Sequence, residues 1–282
     1  MASFTIAVSS CALFRHEAGD IYSEGVAFPF VKALTMVNQR LTELRSERCV
    51  VVVIPANTMD MNHLNSNITK YDLNCEITGE KPLLDHLKEI KPVLYLSTNP
   101  EDVEKAITAG CGAATMFQRD YHEHSDEVLR VAFDGDGVLF SDESEKVFQK
   151  KGIKSFLDHE CENEDNALDT GPLSKFFQAL VHLQQNFAEL PPKKRPIRAY
   201  LVTSRGTTAD GLRVLKTLRE NRLEIDEAYF LCGAQKGSVL KAIKPHIFFD
   251  DQMQHIEAAL QNGIICAHVP YGVCNKREEN QI

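Results

Sequence analysis

The sequence predicts an α/β protein built from two Rossmann-like halves, and three observations lead there. Short apolar runs alternate with amphipathic stretches from Phe4 to Phe117, a polar segment from Gln118 to Glu127 interrupts the pattern, and the alternation restarts at Arg130. Buried strands separated by helix-length amphipathic stretches pair in parallel through helical crossovers. The break places one half at residues 1–125 and the other at 126–282.

In the first half, "FTIAVSS" (Phe4 to Ser10), "CVVVVIP" (Cys49 to Pro55), "PVLYLST" (Pro92 to Thr98) and "AATMF" (Ala113 to Phe117) are rich in β-branched and aromatic residues and read as strands. Between them, "FPFVKALTMVNQRLTEL" and "NPEDVEKAITAG" read as helices. The second has Asn99 as its N-cap, Pro100 at the first helical position and Gly110 as its stop. His122 and His124, in the polar break, read as loop residues, because no third ligand stands near them.

In the second half the strands are "RVAF", "IRAYLVT" (Ile197 to Thr203), "EAYFLC" (Glu227 to Cys232), "HIFF" (His246 to Phe249) and "IICAHV" (Ile264 to Val269). A polar or glycine-containing turn follows each. In an open parallel sheet, ligands bind beyond the carboxyl ends of the strands, so these turns converge on one crevice. Residues 142–196, largely helical, fall between the first two of these strands and form a candidate small cap.

A chain of 282 residues buries enough surface to need neither disulfides nor a structural metal. Its formal net charge of -9, with no long basic run, argues against nucleic acid or an anionic membrane as partner. Eight cysteines without a C-x-x-C pair suggest reduced thiols, and no apolar run approaches the roughly 20 residues of a membrane span. The expectation is a soluble cytoplasmic protein acting on a small molecule; a homo-oligomer is compatible with the sequence.

The chemistry concentrates in "RVAFDGDGVLFSDESE", Arg130 to Glu145, where Asp134 and Asp136 close an apolar run. A calcium loop starting at Asp134 would put Asp136 third and Glu145 twelfth, but Val138 and Leu139 stand where an oxygen ligand and a glycine are required. A phosphoryl-transfer site accounts for more. One strand-end carboxylate attacks phosphorus and a second, two residues on, serves as acid and base. Two carboxylates beside a phosphate need a divalent cation and a basic side chain, and Mg²⁺ suits an all-oxygen site. Later turns supply Asp250 and Asp251 for the metal, Lys236 for the phosphate charge and Thr203 for a hydroxyl hydrogen bond. Gly233 and Gly237, flanking Lys236, would let backbone approach a ligand. Arg205 reads equally well as steering the phosphate or as pairing with a surface acid.

"DGDGVLF", a strand ending in Thr203, Lys236 in "GAQKG" and "FFDD" resemble, in order, the four motifs of the haloacid-dehalogenase-type phosphatases. More narrowly, "VAFDGDGVLFSDESE", "YLVTSR", "PHIFFDDQM" and "AHVPYGV", with "TIAVSS", "AFPFVKAL", "YDL" and "LYLS" in the first half, resemble the AMP-preferring cytosolic 5'-nucleotidases over nearly the whole chain. The resemblance implies a haloacid-dehalogenase-like core in the second half, flanked at its active site by the first. It implies Mg²⁺-dependent hydrolysis of nucleoside 5'-monophosphates, AMP favoured, through an aspartyl-phosphate. Asp134 matches the nucleophile and Asp136 the acid and base. Thr203, Ser204 and Lys236 match the phosphate-binding positions, and Asp134, Asp136 (through its main-chain carbonyl), Asp250 and Asp251 match the metal site. Asn65 and Ser66, in the amide-rich stretch Asn57 to Asp72, are candidates for reading the base or ribose. A phosphatase for another small phosphate ester, and a catalytically idle nucleotide sensor, are the alternatives.

Overall fold

The computed structural model describes residues 4–17, 21–56, 60–118 and 128–275. His122 and His124 lie outside the described residues, as does most of the expected boundary segment. Along the first half run β1 (Thr5–Ser9), the short α1 (Ser10–Leu13), β2 (Phe14–Glu17), β3 (Ile21–Glu24), α2 (Phe28–Glu43), β4 (Val50–Ile54) and α3 (Met61–Lys70). Next come β5 (Cys75–Ile77), α4 (Leu83–Ile90), β6 (Leu94–Ser97), α5 (Pro100–Thr108) and β7 (Ala113–Phe117). The second half holds β8 (Leu129–Phe133), α6 (Glu143–Glu162), α7 (Ser174–Gln185), β9 (Ile197–Thr203), α8 (Ala209–Glu220), β10 (Glu227–Phe230), α9 (Gly237–Ile243), β11 (Ile247–Asp250), α10 (Met253–Leu260) and β12 (Cys266–His268).

Ten strands form one sheet in the order β10-β9-β8-β11-β12-β7-β6-β1-β4-β5. Every pairing in it is parallel except β12 with β7, where Ala267 stands opposite Met116. That one antiparallel junction sets the direction of everything else. The carboxyl ends of β8, β9, β10, β11 and β12 open on one edge of the sheet, and those of β1, β4, β5, β6 and β7 on the opposite edge.

Helices cover both faces, as an all-apolar strand such as Val50–Ile54 demands. On one face a single core runs through both halves: Phe30 of α2 meets Phe176 of α7, which packs on Phe133 and Phe249 of neighbouring strands. Two smaller cores fill the other face, one under α9 and α10 around Phe248 and Ile256, the other under α4 and α5 around Tyr95 and Val103. Asn99 caps α5 as expected, its side chain accepting from the Glu101 N–H at 3.0 Å, and Gly110 follows with φ of +81°. The hairpin of β2 and β3 and the short β5 are additions to the sequence reading. No helix among the described residues is long and apolar enough to cross a membrane.

Candidate active site

The loop after β8 begins at Asp134, whose N–H donates to Phe249 O of β11 and so fixes the carboxylate at the strand end. The chain then folds back on itself, with Leu139 and Phe140 both donating to Gly135 O. Val138 and Leu139, the residues that fit the calcium loop badly, are core side chains. Gly137 has φ of +74°, and a Cβ there would sit 2.5 Å from the Asp251 carboxyl carbon. Two requirements therefore meet at one residue: left-handed backbone and contact with the acid across the site. Gly137→Ala is expected to lower the melting temperature and perturb the site together, read by thermal unfolding and by Mg²⁺ titration.

Lys236 is buried between two carboxylates, 2.8 Å from Asp134 Oδ1 and 2.7 Å from Asp250 Oδ2. Burial opposes its charge, but the two carboxylates outweigh burial and hold it protonated. Asp250 feels the same balance in reverse: burial raises its pKa, Lys236 and His255 outweigh it, and the carboxyl stays below its ordinary value. Asp134 is pushed up to about 6, by burial first and then by Asp250 and Asp136 against the pull of Lys236. Gly237 does not face a ligand as expected; a Cβ there would lie 2.5 Å from Asn262 Nδ2, so the close approach is to the chain next to α10. Gly233 does line the cavity.

Arg205, which lines the cavity, does not pair with a surface acid. It is buried and clasps Asp136 along one edge of its guanidinium, Nε and Nη2 each donating to a carboxylate oxygen at 2.7 Å. Its Nη1 reaches Glu160 on α6 at 2.5 Å, and Glu160 also holds Arg213 at 3.0 Å and accepts from Ser144 Oγ at 2.7 Å. The partner is thus a carboxylate of the site, tied to a fully buried network that spans α6 and α8. Glu160→Gln strips two buried arginines of their shared countercharge and is expected to lower stability by about 3 kcal/mol in urea unfolding.

The carboxylates of Asp134, Asp136, Asp250 and Asp251 thus share a site with the cations of Lys236 and Arg205. Asp251 Oδ1 is buried with no hydrogen-bond partner, and burial with the Asp134 and Asp250 charges raises this carboxyl to about 9. An orphaned acid oxygen in an excess of carboxylates is the environment a hard divalent cation completes. Asp134, Asp250 and His255 also bring one ligand atom each to within 4.8 Å of one another. The residues present fit such an ion. Sequence reading missed His255, which reaches Asp250 from the first turns of α10 at 3.2 Å.

In the metal-free protein the folded pKa values of Asp134 and Asp251 both lie above those of the unfolded chain, so between about pH 4 and 9 the fold binds more protons than the unfolded state. Stability should fall as pH rises through that window. Mg²⁺ should raise the melting temperature relative to EDTA, and by more at pH 8 than at pH 5.

A cavity of about 380 Å³ opens above these groups, lined by Asp134, Asp136, Thr203, Ser204, Arg205 and Gly206 on the sheet side. The structure brings Asp134, Asp136, Thr203, Ser204, Lys236, Asp250 and Asp251 to one edge of the sheet. Asn65 and Ser66 are not with them. They sit on α3, after β4, which lies six strands from β8, about 29 Å at the usual strand spacing, and opens on the opposite edge. Asn65 is exposed and donates to Met61 O of its own helix. Because the junction of β7 with β12 reverses direction, the strand ends of the first half do not flank this cavity.

A model of the 5'-nucleotidase family matches residues 10–276. The chain is 41% identical over 297 aligned positions to human (Homo sapiens) "Cytosolic 5'-nucleotidase 1B", with 94% of this chain and 48% of that protein covered. It therefore spans about half the length of the relative it matches.

Proposed function

The chain belongs to the 5'-nucleotidase family, and we propose that it hydrolyses nucleoside 5'-monophosphates, AMP favoured, to nucleoside and phosphate with Mg²⁺ as cofactor. The observation that carries this reading is the pair of aspartates at one strand end in two different environments. Asp134 stands against Lys236 and the candidate metal ligands, and Asp136 is held two residues away by Arg205.

Asp134, largely ionised at neutral pH, attacks phosphorus and forms an aspartyl-phosphate. Lys236 opposes the charge that develops on the phosphoryl oxygens, in a site whose burial strengthens the interaction. Thr203 Oγ and the Ser204 backbone, both lining the cavity after β9, orient the phosphoryl group. Asp136 gives a proton to the departing 5'-oxygen and later takes one from the water that hydrolyses the intermediate. Asp134, the main-chain carbonyl of Asp136, Asp250 and Asp251 would hold Mg²⁺, which when bound neutralises the phosphate dianion among these carboxylates. The matched relative is cytosolic by name, and a cytosolic setting agrees with eight cysteines that are all free.

Phosphate release across nucleoside monophosphates and sugar phosphates, with and without Mg²⁺, tests the reading. The expected result is Mg²⁺-dependent release with AMP ahead. Faster release from sugar phosphates would favour the alternative phosphatase, and no release from any of them the idle sensor.

A further inference from the structure

The cavity over Asp134 and Asp136 has a second wall that the proposed chemistry leaves unused. Helix α6 contributes Phe148, Ile153, Phe156 and Leu157 to it. Three of these stay exposed, Phe148 at 43%, Ile153 at 59% and Leu157 at 42%. A contiguous apolar face beside a polar pocket marks a binding surface more often than scattered single side chains do. The helix is built to present it: Gly152, with φ of +78°, breaks α6 and redirects its second part. Ile153, Phe156 and Leu157 then share one face at helical spacing and border the same cavity as Phe148. The Phe148 and Phe156 rings meet edge to face, centroids 6.3 Å apart.

Neighbour relations indicate what this wall faces. Asp136 is clasped by Arg205, and the Arg205 guanidinium lies over the Phe156 ring at 5.6 Å. In the proposed reaction Asp136 serves the oxygen that departs, so the leaving group continues from Asp136 past Arg205 onto Phe156 and Phe148. The cavity volume falls in the range of small-molecule sites. The leaving group of the substrate is therefore the occupant that the wall's position selects.

We infer that α6 is the base-recognition element, with Phe148, Phe156, Leu157 and Ile153 receiving the nucleobase of the nucleotide. This rests on the nucleotidase reading and assigns base recognition to the second half of the chain, in place of Asn65 and Ser66. The four side chains offer ring and alkyl surface but no hydrogen-bonding group. They rank substrates by flat apolar area, purine nucleotides ahead of pyrimidine nucleotides and both ahead of sugar phosphates.

The test measures kcat/KM for AMP, CMP and ribose 5-phosphate with Mg²⁺ in the wild-type protein, Phe148→Ala and Phe148→Tyr. Phe148 is exposed, so its substitution leaves the core untouched. In Phe148→Ala the ratio of AMP to ribose 5-phosphate should fall about tenfold or more, mainly through KM, the loss expected when one stacked base loses its ring. The AMP to CMP ratio should fall with it, and Phe148→Tyr should keep both. A wild type that prefers AMP but keeps its ratios in Phe148→Ala overturns the wall alone. A wild type that hydrolyses AMP and ribose 5-phosphate equally well removes the nucleotide reading beneath it.

Discussion

Asp134→Asn should lose more than about 10⁴ of the hydrolysis rate, because a neutral amide is a poor nucleophile towards phosphorus and no aspartyl-phosphate can form on it. The loss should be in kcat. The substrate contacts proposed for Thr203, Ser204 and the α6 wall do not pass through this side chain, so KM should change far less. Lys236 would then face one carboxylate instead of two, but its 2.7 Å contact with Asp250 remains, and the variant should stay folded by thermal unfolding. A folded Asp134→Asn protein that turns over AMP within tenfold of the wild type would exclude Asp134 as nucleophile.

Lys236→Ala should cost about 10³ in rate, near 4 kcal/mol of transition-state stabilisation, the scale found when a preorganised donor to developing charge is removed. Two effects act together. The transferring phosphoryl group loses its fixed cation, and Asp134 and Asp250 lose the countercharge that each contacts. The second effect should appear as altered Mg²⁺ dependence, since the remaining cluster is more negative. Lys241, exposed on the helix that follows Lys236, is the control, and Lys241→Ala should be nearly neutral. Equal rates for the two alanine variants at saturating AMP and Mg²⁺ would remove Lys236 from the site.

Much of this site was legible before the structure, because its parts obey local rules. Asp134 directly follows the apolar run 131–133 of β8, Lys236 lies in the turn after β10, and Asp250 ends β11. Strand direction was not legible. Nothing local in "AATMF" or "IICAHV" says that β7 and β12 pair antiparallel, yet that pairing sends α3, with Asn65 and Ser66, to the far edge of the sheet. The Arg205 partners were hidden for a similar reason: Glu160 and Arg213 are brought to it by the return of α6 and α8 over the cavity, and no spacing in the sequence encodes that contact. The apolar face of α6 was obscured because Gly152 interrupts the helical period on which pattern reading depends.

The central claim, that Asp134 carries the phosphoryl group while Asp136 moves the proton, is tested most directly by acid quench of AMP labelled in its phosphate. Asp136→Asn keeps the nucleophile but lacks the base that activates water, so a substrate whose leaving group needs no proton, such as labelled nitrophenyl phosphate, extends the test to that variant. The account predicts acid-stable, base-labile label on Asp134 in Asp136→Asn, and none in Asp134→Asn. Label retained by Asp134→Asn, or mapped to Asp136 in the protein with Asp134 intact, would contradict it.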